Sequence, residues 1–137
     1  MFRLVRILNS RTNTPEIEHF THKGCYVPIE DGCALERIEA TLTTATTQPE
    51  FIAVNNVKSG DNNDILAYRI TPEMIFKVDY IDTSPAEVGR NVAVAKVGMV
   101  GKAVKMDDDG IGRIIKICDN PKYVYVKFDV RLPGCEC

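Results

Sequence analysis

Met74-Ile75-Phe76-Lys77-Val78-Asp79-Tyr80 is the stretch that decides the fold class. Positions 74, 76, 78 and 80 are apolar or aromatic while Lys77 and Asp79 fall between them, a period of two rather than the 3.6 of a helix. Such a run lays one face on a core and turns the other to water, as a strand covering a core on one side does. Tyr123-Val124-Tyr125-Val126-Lys127-Phe128-Asp129-Val130 has the same character. Between and before these two, short β-type runs separated by turn residues recur at intervals of roughly ten, the spacing of a sandwich or barrel. Strands are predicted over 25–29, 50–55, 65–70, 74–80, 91–95, 102–106, 112–118 and 123–130.

The connectors support this. Lys58-Ser59-Gly60-Asp61-Asn62-Asn63-Asp64 and Asp107-Asp108-Asp109-Gly110 are polar and turn-prone, and both read as hairpin loops. Thr71-Pro72-Glu73 reads as a corner, because proline fixes one backbone angle and removes a donor, which ends pairing. Residues 33–44 are ambiguous: Leu35, Ile38 and Leu42 follow helical spacing behind a possible Asp31 cap, yet Thr41-Leu42-Thr43-Thr44 prefers strand. Two short strands are the expectation, with a helix over 34–42 as the alternative. Pro49-Glu50-Phe51-Ile52-Ala53-Val54 echoes Pro121-Lys122-Tyr123-Val124-Tyr125-Val126, either as a trace of two related β-units or as coincidence. The expected fold is all-β: a small barrel or sandwich of about eight short strands with an N-terminal arm and at most one short helix.

Composition bounds the rest. The chain has 137 residues, 45% of them apolar, 26% charged and 7% aromatic, the make-up of one folded domain. A chain of this size removes about two-thirds of its surface from water on folding, enough to need no disulfide or metal staple. No apolar run approaches the roughly 20 residues of a membrane span, and the arginine-interrupted start does not read as a secretory signal. Seventeen basic against nineteen acidic residues give a formal charge of −2, the wrong sign for broad attraction to phosphate backbones. Five cysteines, Cys25, Cys33, Cys118, Cys135 and Cys137, lack paired spacing and fit synthesis in a reducing cytoplasm, most as small buried residues. Residues 1–23 differ in charge: Arg3, Arg6, Arg11 and Lys23 against Glu16 and Glu18 give +2, leaving −4 for residues 24–137. The expected division is an arm or first strand with linker over 1–23, a barrel over 24–130 and a tail over 131–137, with no structure forced on 9–23.

Candidate sites are few. His19, His22, Cys25 and Cys33 offer the soft donors of a tetrahedral zinc site, but the spacing is not that of a finger, and surface histidines with buried thiols are the favoured reading. Cys135-Glu136-Cys137 could grip a metal or be a frayed tail. Asp107, Asp108 and Asp109 lack the alternating ligands of an EF-hand and read as a solvated turn. Gly98-Met99-Val100-Gly101-Lys102 lacks the phosphate-loop spacing and reads as a turn between strands. No nucleophile elbow, Walker loop or dinucleotide fingerprint occurs, so no catalytic residue and no cofactor is assigned. A small barrel can stack bases on exposed aromatics. Here Phe51, Tyr68, Phe76, Tyr123, Tyr125 and Phe128 are interleaved with apolar neighbours, which predicts core or interface instead.

Gly32-Cys33-Ala34-Leu35, Ala45-Thr46-Thr47-Gln48-Pro49-Glu50-Phe51-Ile52, Tyr68-Arg69-Ile70-Thr71-Pro72 and Val88-Gly89-Arg90-Asn91-Val92, with the hairpin near Gly110, carry a resemblance. Over roughly residues 24–130 the chain resembles small phage and prophage head-decoration proteins of Gram-positive bacteria. The resemblance implies a compact barrel that trimerises on a capsid lattice and clamps the major capsid protein, without catalysis, at the virion head surface. In that setting Phe2, Arg3, Leu4, Arg6 and Arg11 would form a partner arm that adds a strand to, or lies along, a neighbouring chain; the other reading makes the same segment the first strand of the protein's own barrel. The alternative function is a small bacterial barrel binding nucleic acid or a small ligand.

Overall fold

Alternation of buried and half-exposed residues, the strand signature, is complete in residues 74–80 and recurs along the chain. The computed structural model describes residues 1–8, 14–20, 28–38, 41–44, 48–58 and 64–129. In chain order the strands are β1 (Arg3–Ile7), β2 (Glu18–Phe20), β3 (Ala34–Ile38), β4 (Thr41–Thr44), β5 (Phe51–Ala53), β6 (Ile65–Arg69), β7 (Met74–Tyr80), β8 (Asn91–Val97), β9 (Val100–Met106), β10 (Gly112–Ile117) and β11 (Tyr123–Phe128). The described residues contain no helix, so β3 and β4 are the two short strands expected within 33–44, and none of the described elements is a helix long and apolar enough to cross a membrane.

The larger sheet runs β1-β7-β11-β10-β8-β9. It closes on itself because the end of β7 also pairs with β9 in parallel, Asp79 opposite Ala103 and Tyr80 opposite Val104. Five strands therefore make a barrel, and closure removes the open edges that a flat sheet would present. β1 lies along the first half of the same edge of β7, from Arg3 opposite Lys77 to Ile7 opposite Met74. Phe2 is buried just ahead of it, against Phe76 and Phe128 at centroid distances of 6.2 and 5.8 Å. Residues 2–7 thus supply a core residue and a strand added to the β7 edge of the chain's own barrel.

The smaller sheet, β2-β6-β5-β3-β4, is antiparallel throughout. Its strands alternate between two cores. Ala34, Ile52, Tyr68 and Ile70 join Phe76, Val78, Val92, Val104, Val126 and Phe128 in the barrel interior. Cys33, Leu35, Leu42, Phe51, Ala53, Ile65 and Ala67 face away from it and close a second core with Ile29, Val57 and Val100. Phe51 is fully buried there, with the guanidinium of Arg69 4.6 Å from its ring centroid, that of Arg37 at 5.5 Å and Phe20 packed edge-on at 4.9 Å. Thr71-Pro72-Glu73 is the corner that carries the chain from β6 in one sheet to β7 in the other. The two echoing segments supply β5 and β11, one in each sheet.

Two expectations change. Residues 9–23 contain a strand after all: Glu18, His19 and Phe20 pair with Ala67, Leu66 and Ile65. With one apolar residue in three, β2 owes its form to backbone pairing at the sheet edge rather than to a periodic pattern. Asp107-Asp108-Asp109-Gly110 is a turn but not a hairpin loop. It joins β9 to β10, which lie on either side of β8, so that Met106 and Gly112 both stand opposite Val92. The Asp107 carboxylate accepts from Asp109 N–H at 2.9 Å and Asn91 donates to the Asp108 carbonyl at 3.2 Å, tying the turn to the start of β8. β5 and β6, on either side of the expected 58–64 loop, pair directly, while residues 59–63 lie outside the described residues; Asn55 accepts from Leu66 N–H and donates to the Asp64 carbonyl, each at 2.9 Å. Gly98 and Met99 form the two-residue turn between β8 and β9, with Gly98 at φ +68°.

Candidate functional site

Residues opposite one another on paired strands share a face, and the register of β1, β7, β11 and β10 brings cations together on the outside of the barrel. Arg3 stands opposite Lys77, Lys77 opposite Tyr125, and Tyr125 opposite Lys116, a single row across four strands. Two residues along, Arg6 stands opposite Ile75 on one pair and Arg113 opposite Lys127 on another. All of these side chains are exposed or half-buried, while the alternate residues Phe76, Val78, Val124 and Val126 point into the barrel. At standard strand spacings the face measures roughly 14 Å across the strands and 13 Å along them. Its two tyrosines are already engaged: Lys77 Nζ lies 5.2 Å from the ring centroid of Tyr123 and Lys116 Nζ lies 5.6 Å from that of Tyr125. Asp79 borders the row beyond Lys77, and the Met1 amino group sits 3.2 Å from its carboxylate.

Beside this face opens a groove of about 520 Å³. Ile111, Ile115 and Phe128 line it together with Arg113, Lys127 and Asp129, so it combines apolar side chains with two cations and one carboxylate. A second hollow of about 330 Å³ lies under the 81–86 loop. Two of its polar side chains, Tyr80 and Asp82, are bonded within the chain. The Tyr80 hydroxyl donates to the Ser84 carbonyl at 2.7 Å, and the Asp82 carboxylate accepts from Ser84 N–H at 2.9 Å and Met106 N–H at 3.0 Å. The Ser84 bond leads the causes that hold the Asp82 carboxyl below its ordinary range. These bonds brace the loop over the hollow.

The sequence-predicted metal candidates do not meet within the described residues. His19 is exposed on β2, Cys33 is buried in the second core, and His22 and Cys25 lie outside the described residues. Burial pushes the Cys33 thiol up to about 11, which keeps it a protonated, inert hydrophobe at neutral pH. Among the described residues no group of three histidine, cysteine or acidic side chains could hold a metal ion. Of the arm residues, Phe2 is in the core, Leu4 packs against it, Arg3 and Arg6 point outward from β1, and Arg11 lies outside the described residues. Sequence reasoning grouped Tyr123 and Tyr125 with Phe51, Tyr68, Phe76 and Phe128 as core or interface residues without separating the two. The signal that separates them is their alternation with Val124 and Val126, which puts both tyrosines on the face of Lys127.

Barrel, smaller sheet and basic face together define an all-β barrel protein with a cluster of cations on the outside of one sheet. No protein-family model and no curated protein matches the chain. Among solved structures its fold is similar to that of the head fiber gp8.5 N base of bacteriophage phi29, at a TM-score of 0.53 and 19% identity over 82% of this chain and 94% of that one.

Proposed function

We propose that this chain is a non-enzymatic structural protein of a phage-type head, a decoration module that assembles with copies of itself and with the major capsid protein on the outside of the shell. The observation that carries this reading is the likeness of fold to the head fibre base, which extends over 82% of this chain and so takes in more than either sheet alone. The resemblance of the 24–130 motifs to head-decoration proteins points the same way, and the exposed chemistry is that of contact: a basic sheet face, a shallow groove, and polar groups spent on bracing loops. A closed symmetric oligomer is the usual form of such a layer, and a trimer is the form the resemblance implies.

Two measurements test it. Light scattering of the purified chain should give the mass of a trimer, and the chain should co-sediment with DNA-filled heads of the phage or prophage whose head genes neighbour its own. A monomer that leaves such heads unbound overturns the reading, as does a gene neighbourhood of metabolic enzymes without portal, protease or capsid genes.

A further inference from the structure

We propose that the outer face of β1, β7, β11 and β10, with the groove beside it, docks a carboxylate-rich surface of another protein chain. The inference does not depend on the phage-head reading, since it follows from the charge layout of this chain alone. Six of the 17 basic residues, Arg3, Arg6, Lys77, Arg113, Lys116 and Lys127, stand on this one face. Asp79 and Asp129 border it, which leaves the face at +4, and the other described residues carry 8 basic and 14 acidic side chains, a formal −6. A net charge of −2 therefore conceals a strongly positive sheet face on an acidic body.

Like charges placed opposite one another on neighbouring strands repel. Arg3 beside Lys77 and Arg113 beside Lys127 are such pairs, and among the described residues no ion pair joins any of the four to a carboxylate. Carboxylates brought in from outside would relieve both. Arginine at two positions of the β1 flank and at one of the β10 flank suits bidentate pairing with a carboxylate.

Two features favour an acidic protein over a nucleic acid. Base stacking needs open aromatic faces, and here the rings of Tyr123 and Tyr125 each carry a lysine ammonium. The adjoining groove is lined by Ile111, Ile115 and Phe128 with the two cations Arg113 and Lys127 against the single carboxylate of Asp129. That arrangement takes an aliphatic or aromatic side chain flanked by carboxylates, which a protein surface supplies and a phosphate backbone does not.

Fluorescence anisotropy at low salt tests it with two probes, labelled poly-L-glutamate and a labelled oligo-dT of matching charge. Poly-L-glutamate should bind the full chain more tightly than oligo-dT. The variant Lys77→Glu/Arg113→Glu/Lys116→Glu/Lys127→Glu should bind it at least about tenfold more weakly, while Lys58→Glu/Lys96→Glu, which reverses exposed lysines elsewhere, should bind as the parent does. If the reversal variant melts early, the Gln versions of the same four positions replace it and must show the same loss. Oligo-dT bound as tightly or more tightly assigns the face to nucleic acid and overturns the proposal. Absence of binding to either probe, or equal loss in the Lys58/Lys96 control, also overturns it.

Discussion

At Gly110 an added methyl group has nowhere to go. A Cβ built there would stand 2.1 Å from the Val92 carbonyl oxygen and 2.4 Å from its carbon, so the turn between β9 and β10 passes against the β8 backbone at a distance only glycine allows. Those are main-chain atoms of a barrel strand, and they cannot yield as a flexible side chain would. Gly110→Ala should lower stability by about 3 kcal/mol, the upper part of the usual overpacking range. Gly98→Ala, at a positive φ but with open space around it, should cost about 1–2 kcal/mol from backbone conformation alone. Urea unfolding of the two variants checks the order; equal losses would remove the close approach as the cause. Asp82 makes a pH argument at the same scale. Its two backbone hydrogen bonds form best to the carboxylate and hold its folded pKa below the unfolded value. The stabilisation it brings is therefore complete above the unfolded pKa, about 4 for an aspartate, and is lost as pH falls through the folded value. Asp82→Asn should melt lower than the parent at pH 7 and lose less of its remaining stability on acidification, which melting curves across an acid series would reveal. Cys33 supplies a third residue-scale expectation. With the other four cysteines changed to serine, its thiol should resist a disulfide reagent at pH 8 in the folded chain and react at once in guanidinium.

Among the elements, β1 is the one whose assignment matters most for assembly. Phe2 anchors it in the barrel interior, its backbone N–H donates to the Gly32 carbonyl at 2.7 Å, and the strand covers the half of the β7 edge that β9 does not reach. Phe2→Ala should cost about 3–5 kcal/mol, the range for a buried aromatic, and deletion of residues 2–8 should cost more; a melting temperature unchanged by either would return the segment to the role of a detachable arm. The strands of the barrel were legible because Met74–Tyr80, Gly112–Ile117 and Tyr123–Phe128 alternate or nearly do. β2 was hidden because an edge strand of three residues needs only backbone partners, and Glu18-His19-Phe20 has no pattern to display. The Asp107–Gly110 turn was legible as a turn, but turn chemistry says where a chain reverses and not which neighbour it rejoins. The same limit applies to the basic face. Lys77, Lys127 and Lys116 were visible as polar positions between apolar ones, yet only the register puts Arg3, Lys77, Tyr125 and Lys116 in one row.

For the whole molecule, the arrangement of the two cores predicts how it comes apart. β5 is buried on both faces, Ile52 toward the barrel and Phe51 and Ala53 toward the second core. Val100, at the start of barrel strand β9, packs in the second core, and Ala34, Ile52, Tyr68 and Ile70 from the smaller sheet pack in the first. The Lys102–Glu30 ion pair, 3.5 Å long and partly exposed, adds little to this linkage. Loss of the smaller sheet would thus strip four residues from the barrel interior and leave Tyr68 and Phe76, stacked at 6.4 Å, without each other. Neither sheet retains a complete core without its neighbour, so the described body should unfold in one step, with calorimetric and van't Hoff enthalpies in agreement. Leu35→Ala, in the second core, and Ile114→Ala, in the barrel core, should each shift that single transition by about 2–5 kcal/mol. A second transition appearing in either variant, or a barrel melt that Leu35→Ala leaves in place, would mean that the sheets are separate folding units and that the shared strand β5 does not couple them.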